Sequence, residues 1–230
     1  MKYGKRGHKP KEENIVNKVA EREEALARFT DNQWVMIGGF LGTGTPESLV
    51  DGLVEKGVKN LTVIANDTAF PGKGVGKLVV NKQTSKVIVS HVGTNPETGR
   101  QMHAKEMEVE LVPQGTLAER IRSAGAGLGG FLTPTGLGTV VEEGKDKITK
   151  GGRTYLLELP IKADIALIKA WKADKYGNLV YRRTSRNFNP VMAMAADFVI
   201  VEAEEIVEIG MLDPDEIMTP GAVVDMIIKG

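Results

Sequence analysis

The segment running from Asp31 to Gly57, DNQWVMIGGFLGTGTPESLVDGLVEKG, constrains the fold more than any other stretch of the chain. It begins with Trp34-Val35-Met36-Ile37, too short for a helix and apolar at every position, as expected of a strand buried on both faces. Glycines follow at 38, 39, 42 and 44. Thr45 then fits an N-cap and Pro46 the first helical position, where the N–H that proline lacks would go unused. Leu49, Val50, Leu53 and Val54 recur at helical spacing until Gly57 supplies a C-terminal stop. The segment therefore predicts a strand, a glycine-rich loop and a helix in direct succession.

The alternation continues downstream. Helical periodicity before this segment is carried by Val19, Ala25, Leu26 and Phe29. Residues 61–65, 86–90 and 109–112 read as strands, with a helix around 117–121. Strands interleaved with helices predict an α/β fold with a mostly parallel sheet flanked by helices. In the second half the pattern favours additional antiparallel strands, at 139–142, 154–157, 164–169 and 197–201. Gly151-Gly152 suits a hairpin between two of them. The glycine-rich stretch 125–138 predicts an ordered loop. At 230 residues the chain can bury roughly 70–75% of its unfolded surface. The expected organisation is a solvated tail over residues 1–14 and a single domain over 15–230.

Thirty Lys plus Arg balance thirty Asp plus Glu, which gives no electrostatic reason to expect nucleic acid or an anionic membrane as partner. No cysteine is present, so disulfides, thiolate catalysis and Cys-ligated zinc are excluded. The N-terminus lacks the apolar core of a secretory signal, and no apolar run is long enough to span a bilayer. These features predict a cytoplasmic protein.

The loop from Gly38 to Gly44, ahead of a helix N-terminus, suits a phosphate, a carboxylate or the oxyanion of acyl transfer, or else a tight turn with no ligand. Nucleotide signatures fit poorly. Gly42-Thr43-Gly44 lacks the last glycine of a dinucleotide fingerprint, and Gly76-Lys77 is followed by Leu78 rather than Ser or Thr. His8, His91 and His103 share no metal-ligand spacing, so no metal site is expected. There is no nucleophile elbow. Glu97 and Glu106 are the carboxylates nearest the candidate loops, and both also read as solvated surface charges. The chain thus carries a binding surface without an evident nucleophile.

Asp31-Asn32-Gln33-Trp34-Val35-Met36-Ile37-Gly38-Gly39-Phe40, continued by Gly44-Thr45-Pro46, resembles the coenzyme A site signature of the family I CoA-transferases. The blocks LVPQGTLAERIRSAGAGLGGFLTPTGLGTVVEEG and KADKYGNLVYRRTSRNFNP are similar to the alpha chain of that family, and the resemblance extends from about Val19 to Gly230. IANDTAF and SHVGTNPETGRQM look more like the acetate or butyrate–acetoacetate type than the succinyl–3-oxoacid type, which remains the alternative.

The resemblance implies a ping-pong transfer through a glutamyl-CoA thioester, with a CoA thioester as substrate and no permanently bound cofactor. It places the nucleophilic glutamate in a beta subunit, so no catalytic residue is expected here, and it suggests an alpha2-beta2 assembly acting on short-chain acids such as acetate, butyrate and acetoacetate. By match to the motif, Gly38, Gly39, Phe40, Leu41, Gly42, Thr43 and Gly44 would form the CoA-binding loop, with Phe40 shaping the acyl pocket. Asn66, Asp67, Thr68 and Gln114 would line the same cleft. Arg182, Arg183 and Arg186 are open to a CoA phosphate, a subunit contact or solvent. Two other readings compete: an acyl-CoA-binding regulator without catalysis, and a self-contained hydrolase using Glu97 or Glu106.

Overall fold

A computed structural model describes residues 16–230; the expected tail over 1–14 lies outside them. Eleven strands and six α-helices are found among the described residues. The strands are β1 (Trp34–Ile37), β2 (Leu61–Ile64), β3 (Thr84–Val89), β4 (Glu108–Leu111), β5 (Phe131–Thr133), β6 (Lys147–Lys150), β7 (Arg153–Glu158), β8 (Ala163–Asp174), β9 (Leu179–Val180), β10 (Ala196–Val207) and β11 (Met226–Lys229). The helices are α1 (Arg22–Ala27), α2 (Glu47–Lys56), α3 (Val75–Val80), α4 (Pro96–His103), α5 (Gln114–Gly125) and α6 (Asn189–Met192).

Seven strands form a parallel sheet in the order β11-β10-β8-β1-β2-β3-β4, and β9 joins it antiparallel to β8. The chain winds outward from β1 through β2 and β3 to β4, then returns to the other side of β1 to lay down β8. The order therefore reverses between β1 and β8. In open α/β sheets the crevice beyond the strand ends at such a reversal is where ligands settle. The glycine-rich loop leaves β1 there.

Alternating side chains divide the core between the two faces of the sheet, as the strand period of two requires. Val35 and Ile37 of β1 join Val63, Val87, Leu167 and Ile200 against α1, α2 and α3, where Phe29, Leu49, Leu53 and Leu78 are buried. Met36 points the other way, with Ile64, Ile88, Ala166 and Val201, against Leu117 and Ile121 of α5 and Met192 of α6. The expected all-apolar character of the first strands follows from this double covering. Gly57 caps α2 in the left-handed conformation, with φ at 73°.

The second half carries a small antiparallel sheet, β5-β7-β6. Gly151 and Gly152 make its hairpin turn at φ values of 61° and 74°, which an L side chain adopts only under strain. Three local expectations need correction. The N-cap of α2 is Pro46 rather than Thr45, and no side chain caps it. Residues 139–142 form a 3₁₀ turn instead of a strand, because the Thr139 hydroxyl accepts from the Val141 amide and closes the chain on itself. The 125–138 stretch is a loop only in part: Phe131–Thr133 is drawn into pairing with β7, a partner that its own glycine-broken sequence does not reveal. No helix among the described residues is long and apolar enough to cross a membrane.

Candidate functional site

The glycine-rich loop folds as a tight hairpin. Phe40 and Thr43 exchange backbone hydrogen bonds of 3.0 and 2.9 Å, while Leu41 and Gly42 at the tip take φ values of 48° and 83°. The Leu41 amide donates to the Asp67 carboxylate at 2.9 Å, and Asp67 also accepts from the Ala69 amide and the Asn66 side chain. The loop is thus held from behind by the end of β2.

The structure explains the glycines by packing within the chain itself. A Cβ at Gly38 would lie 1.8 Å from Asn189 Oδ1, one at Gly39 2.2 Å from the Thr45 hydroxyl, and one at Gly44 2.8 Å from the Ser185 backbone. Such distances leave no room for a side chain, so a bulky residue at Gly39 would disrupt the loop before it obstructed any ligand. Asn189 is the pin of this arrangement. Wholly buried, it donates to the carbonyls of Gly44 (2.9 Å) and Ser185 (2.8 Å) and accepts from the Lys169 amide (2.9 Å). Asn187 adds a bond to the Thr43 carbonyl at 3.0 Å. Together they tie the hairpin to the turn carrying Arg183 and Arg186.

The expected pull of the α2 N-terminus on a ligand is taken up internally. The Leu49 amide donates to Glu202 Oε2 at 3.1 Å, and Glu202 is itself buried on β10. Burial pushes its carboxyl above the usual range, against the pull of the Leu49 amide and of Lys169. A carboxylate placed at a helix N-terminus satisfies the free amides and the positive end of the dipole at once.

Beside the hairpin opens a cleft of about 1070 Å³, bounded by Phe40 and Thr43 on one side, α5 on another and the 183–194 segment on the third. Phe40, Phe188, Val191 and Met194 give it an apolar floor; Gln114, Arg122, Arg183 and Arg186 give it polar groups. Among the described residues, none of the lining side chains is a carboxylate. Of the anticipated site residues, the structure brings Phe40, Thr43 and Gln114 together in this cleft. Asn66, Asp67 and Thr68 are buried behind it. Gln114 Nε2 donates to Asn66 Oδ1 at 2.6 Å, so Asn66 and Asp67 connect α5 to the hairpin tip. Thr68 faces away, bonded to Thr98 and Asn95.

Glu97 and Glu106 are not part of the cleft. Both bond to Arg100, and that guanidinium, helped by Gln101 at Glu97 and by Lys82 at Glu106, holds each carboxyl down at about 2. Asn187, Asn189 and Glu202 were not singled out from the sequence. Their roles depend on partners far away in the chain, and only the irregular block NFNP at 187–190 hinted at the first two.

Comparison with known proteins gives this fold and site a context. The sequence profile of the coenzyme A transferase family matches residues 19–230, and the chain belongs to that family. Within it, the counterparts of this chain are alpha subunits. The alpha chain of the acetate CoA-transferase of Escherichia coli K12 is 59% identical over 93% of this chain and 97% of its own length. The alpha chain of the acetoacetyl-CoA:acetate/butyrate CoA transferase of Clostridium acetobutylicum is 53% identical over 93% of this chain and 98% of its own length. Among solved structures, an acyl-CoA transferase from Escherichia coli O157:H7, crystallised as a thioester complex with CoA, superposes with a TM-score of 0.83 at 21% identity. That match covers 94% of this chain but 48% of the other, so the chain spans about half the length of that enzyme. At this identity the likeness establishes the fold alone.

Proposed function

We propose that this chain is the alpha half of a CoA-transferase that moves CoA between short-chain carboxylic acids, and that a beta subunit supplies the nucleophile. The observation that carries this reading is the cleft at the sheet's reversal point, whose described lining offers cations, an amide and apolar surface but no carboxylate. In the proposed chemistry a partner's glutamate oxygen attacks the thioester carbonyl. The C–S bond breaks, giving an acyl-glutamyl anhydride and CoA thiolate. The thiolate attacks the glutamyl carbonyl, releasing the first acid and leaving a glutamyl-CoA thioester, which the acceptor acid takes through the reverse steps.

In this reading residues 38–44 form the wall against which CoA lies, with Phe40 packed beside the acyl chain and Gln114 donating to an acyl or carboxylate oxygen. Asn66 and Asp67 orient Gln114 and the hairpin tip; Thr68 supports them. The names of the relatives favour acetate, butyrate and acetoacetate as the acids. A succinyl-CoA:3-ketoacid type is the second substrate reading, since a chain of Bacillus subtilis named for that activity is 51% identical over 92% of this chain. The hydrolase reading loses its support because Glu97 and Glu106 are pinned on Arg100 outside the cleft.

The test is CoA transfer from acetyl-CoA to butyrate and to acetoacetate, by the chain alone and by the chain co-produced with its beta partner. Silence from the chain and transfer by the pair is the expected result. Transfer by the chain alone would overturn the division of labour, and free CoA without an acceptor acid would restore the hydrolase.

A further inference from the structure

Nine arginines fall among the described residues, and seven of them have a partner there. Arg22, Arg100, Arg120 and Arg122 pair with carboxylates; Arg28, Arg153 and Arg182 lie over the rings of Phe198, Tyr155 and Trp171. Arg183 and Arg186 have neither a carboxylate nor a ring among the described residues, and both line the cleft. Arg183 also holds φ at 52°, a left-handed conformation for a side-chain-bearing residue. Strain of this kind persists only where the surroundings impose it, and it concentrates at functional positions. The surroundings are the bonds already described: Asn189 to the Ser185 carbonyl, and Asn187 to the carbonyls of Thr43 and Thr184. A strained turn, tied to the glycine hairpin, thus presents two unpaired guanidinium groups to a cleft without a lining carboxylate.

We propose that Arg183 and Arg186 hold phosphate groups of the CoA thioester, an inference that rests on the transferase reading above. The guanidinium fork matches phosphate oxygens and forms charge-assisted bonds that are about twice as strong as neutral ones. The other anion available to this chemistry is the carboxylate of the acid. The cleft, at about 1070 Å³, is far larger than a short-chain acid requires and is of the size that takes an extended ligand. Its apolar floor of Phe188, Val191 and Met194 runs beside the arginines and suits the alkyl portions of a pantetheine arm.

The test uses the assembled complex. Arg183→Gly relieves the left-handed strain while removing the charge, so it should unfold no earlier than wild type; Arg183→Ala/Arg186→Ala removes both guanidiniums. Each lost guanidinium should raise KM for acetyl-CoA roughly tenfold or more, with KM for the acceptor acid unchanged. With acetyl-pantetheine, which carries no phosphate, wild type and double variant should converge, and acetyl-dephospho-CoA shows whether the 3′-phosphate is the group held. The lysine variants at both positions should restore part of the affinity.

A higher KM for the acid, with the acetyl-CoA to acetyl-pantetheine ratio intact, would overturn the proposal in favour of a carboxylate site. Failure of the variants to co-elute with the beta subunit would overturn it in favour of a subunit contact, and unchanged kinetics would overturn it outright. Calorimetric binding of CoA keeps the two readings apart. A wild-type complex without transfer would sink the proposed function, yet loss of CoA binding in the double variant would still assign the arginines.

Discussion

Asn189 shows how much one side chain can organise. All three of its bonds go to backbone groups, and its carbonyl oxygen fills the space that a side chain at position 38 would take. Asn189→Ala leaves the Lys169 amide and the Gly44 and Ser185 carbonyls without that partner. At about 1–3 kcal/mol for a buried polar group left unpaired, with water reaching some of them, the variant should lose roughly 2–4 kcal/mol in a denaturant titration. A loss below about 1 kcal/mol would show that the hairpin does not depend on this pin. Glu97 and Glu106 are the contrary case. Their carboxyls are fixed on Arg100, so Glu97→Gln and Glu106→Gln should leave CoA transfer by the assembled complex at wild-type rate. The need for glycine at 38 was legible in the sequence, but the reason was not. The pinning residue reaches the loop from 145 positions away, and nothing local announces it.

Among the elements, α2 was the most legible at its end and the least at its beginning. Gly57 ends it as composition implies, whereas its N-terminus is completed by Glu202, a carboxylate on β10 and 153 residues distant from Leu49 in sequence. Burial raises the folded value of Glu202. Its protonated form is therefore favoured by folding, so its contribution to stability is fully present below the unfolded value of about 4.3 and fades as pH rises through the raised folded value. Glu202→Gln keeps an oxygen for the Leu49 amide and cannot ionise. The melting temperature of this variant minus that of wild type should be more positive at pH 8 than at pH 4; a difference independent of pH would show that Glu202 ionises freely. The same contrast between local and distant causes runs through the fold. β1, β2 and β3 were readable because burial on both faces makes them apolar throughout. β6, exposed at every position, carries no such signature, and β5 exists only because β7 is there to pair with it.

At the scale of the whole molecule, the reversal of strand order between β1 and β8 places the hairpin, α5 and the 183–194 segment around one cleft. Each face of the sheet has its own buried cluster, with α1–α3 on one side and α5–α6 on the other. A core so enclosed does not need a second chain to exclude water, and the isolated chain should unfold in a single cooperative thermal transition. What it lacks, in the reading offered above, is the carboxylate that a partner brings. A partner that binds only the folded chain stabilises it by mass action, about 2.7 kcal/mol when present at a hundred times its dissociation constant. For a chain of this size that corresponds to a rise in melting temperature of roughly 5–10 °C. Scans at increasing beta-subunit concentration should show the midpoint climbing with the logarithm of concentration, and transfer activity appearing over the same range. A midpoint indifferent to the beta subunit, with activity present at every ratio, would mean that the chain is complete without it.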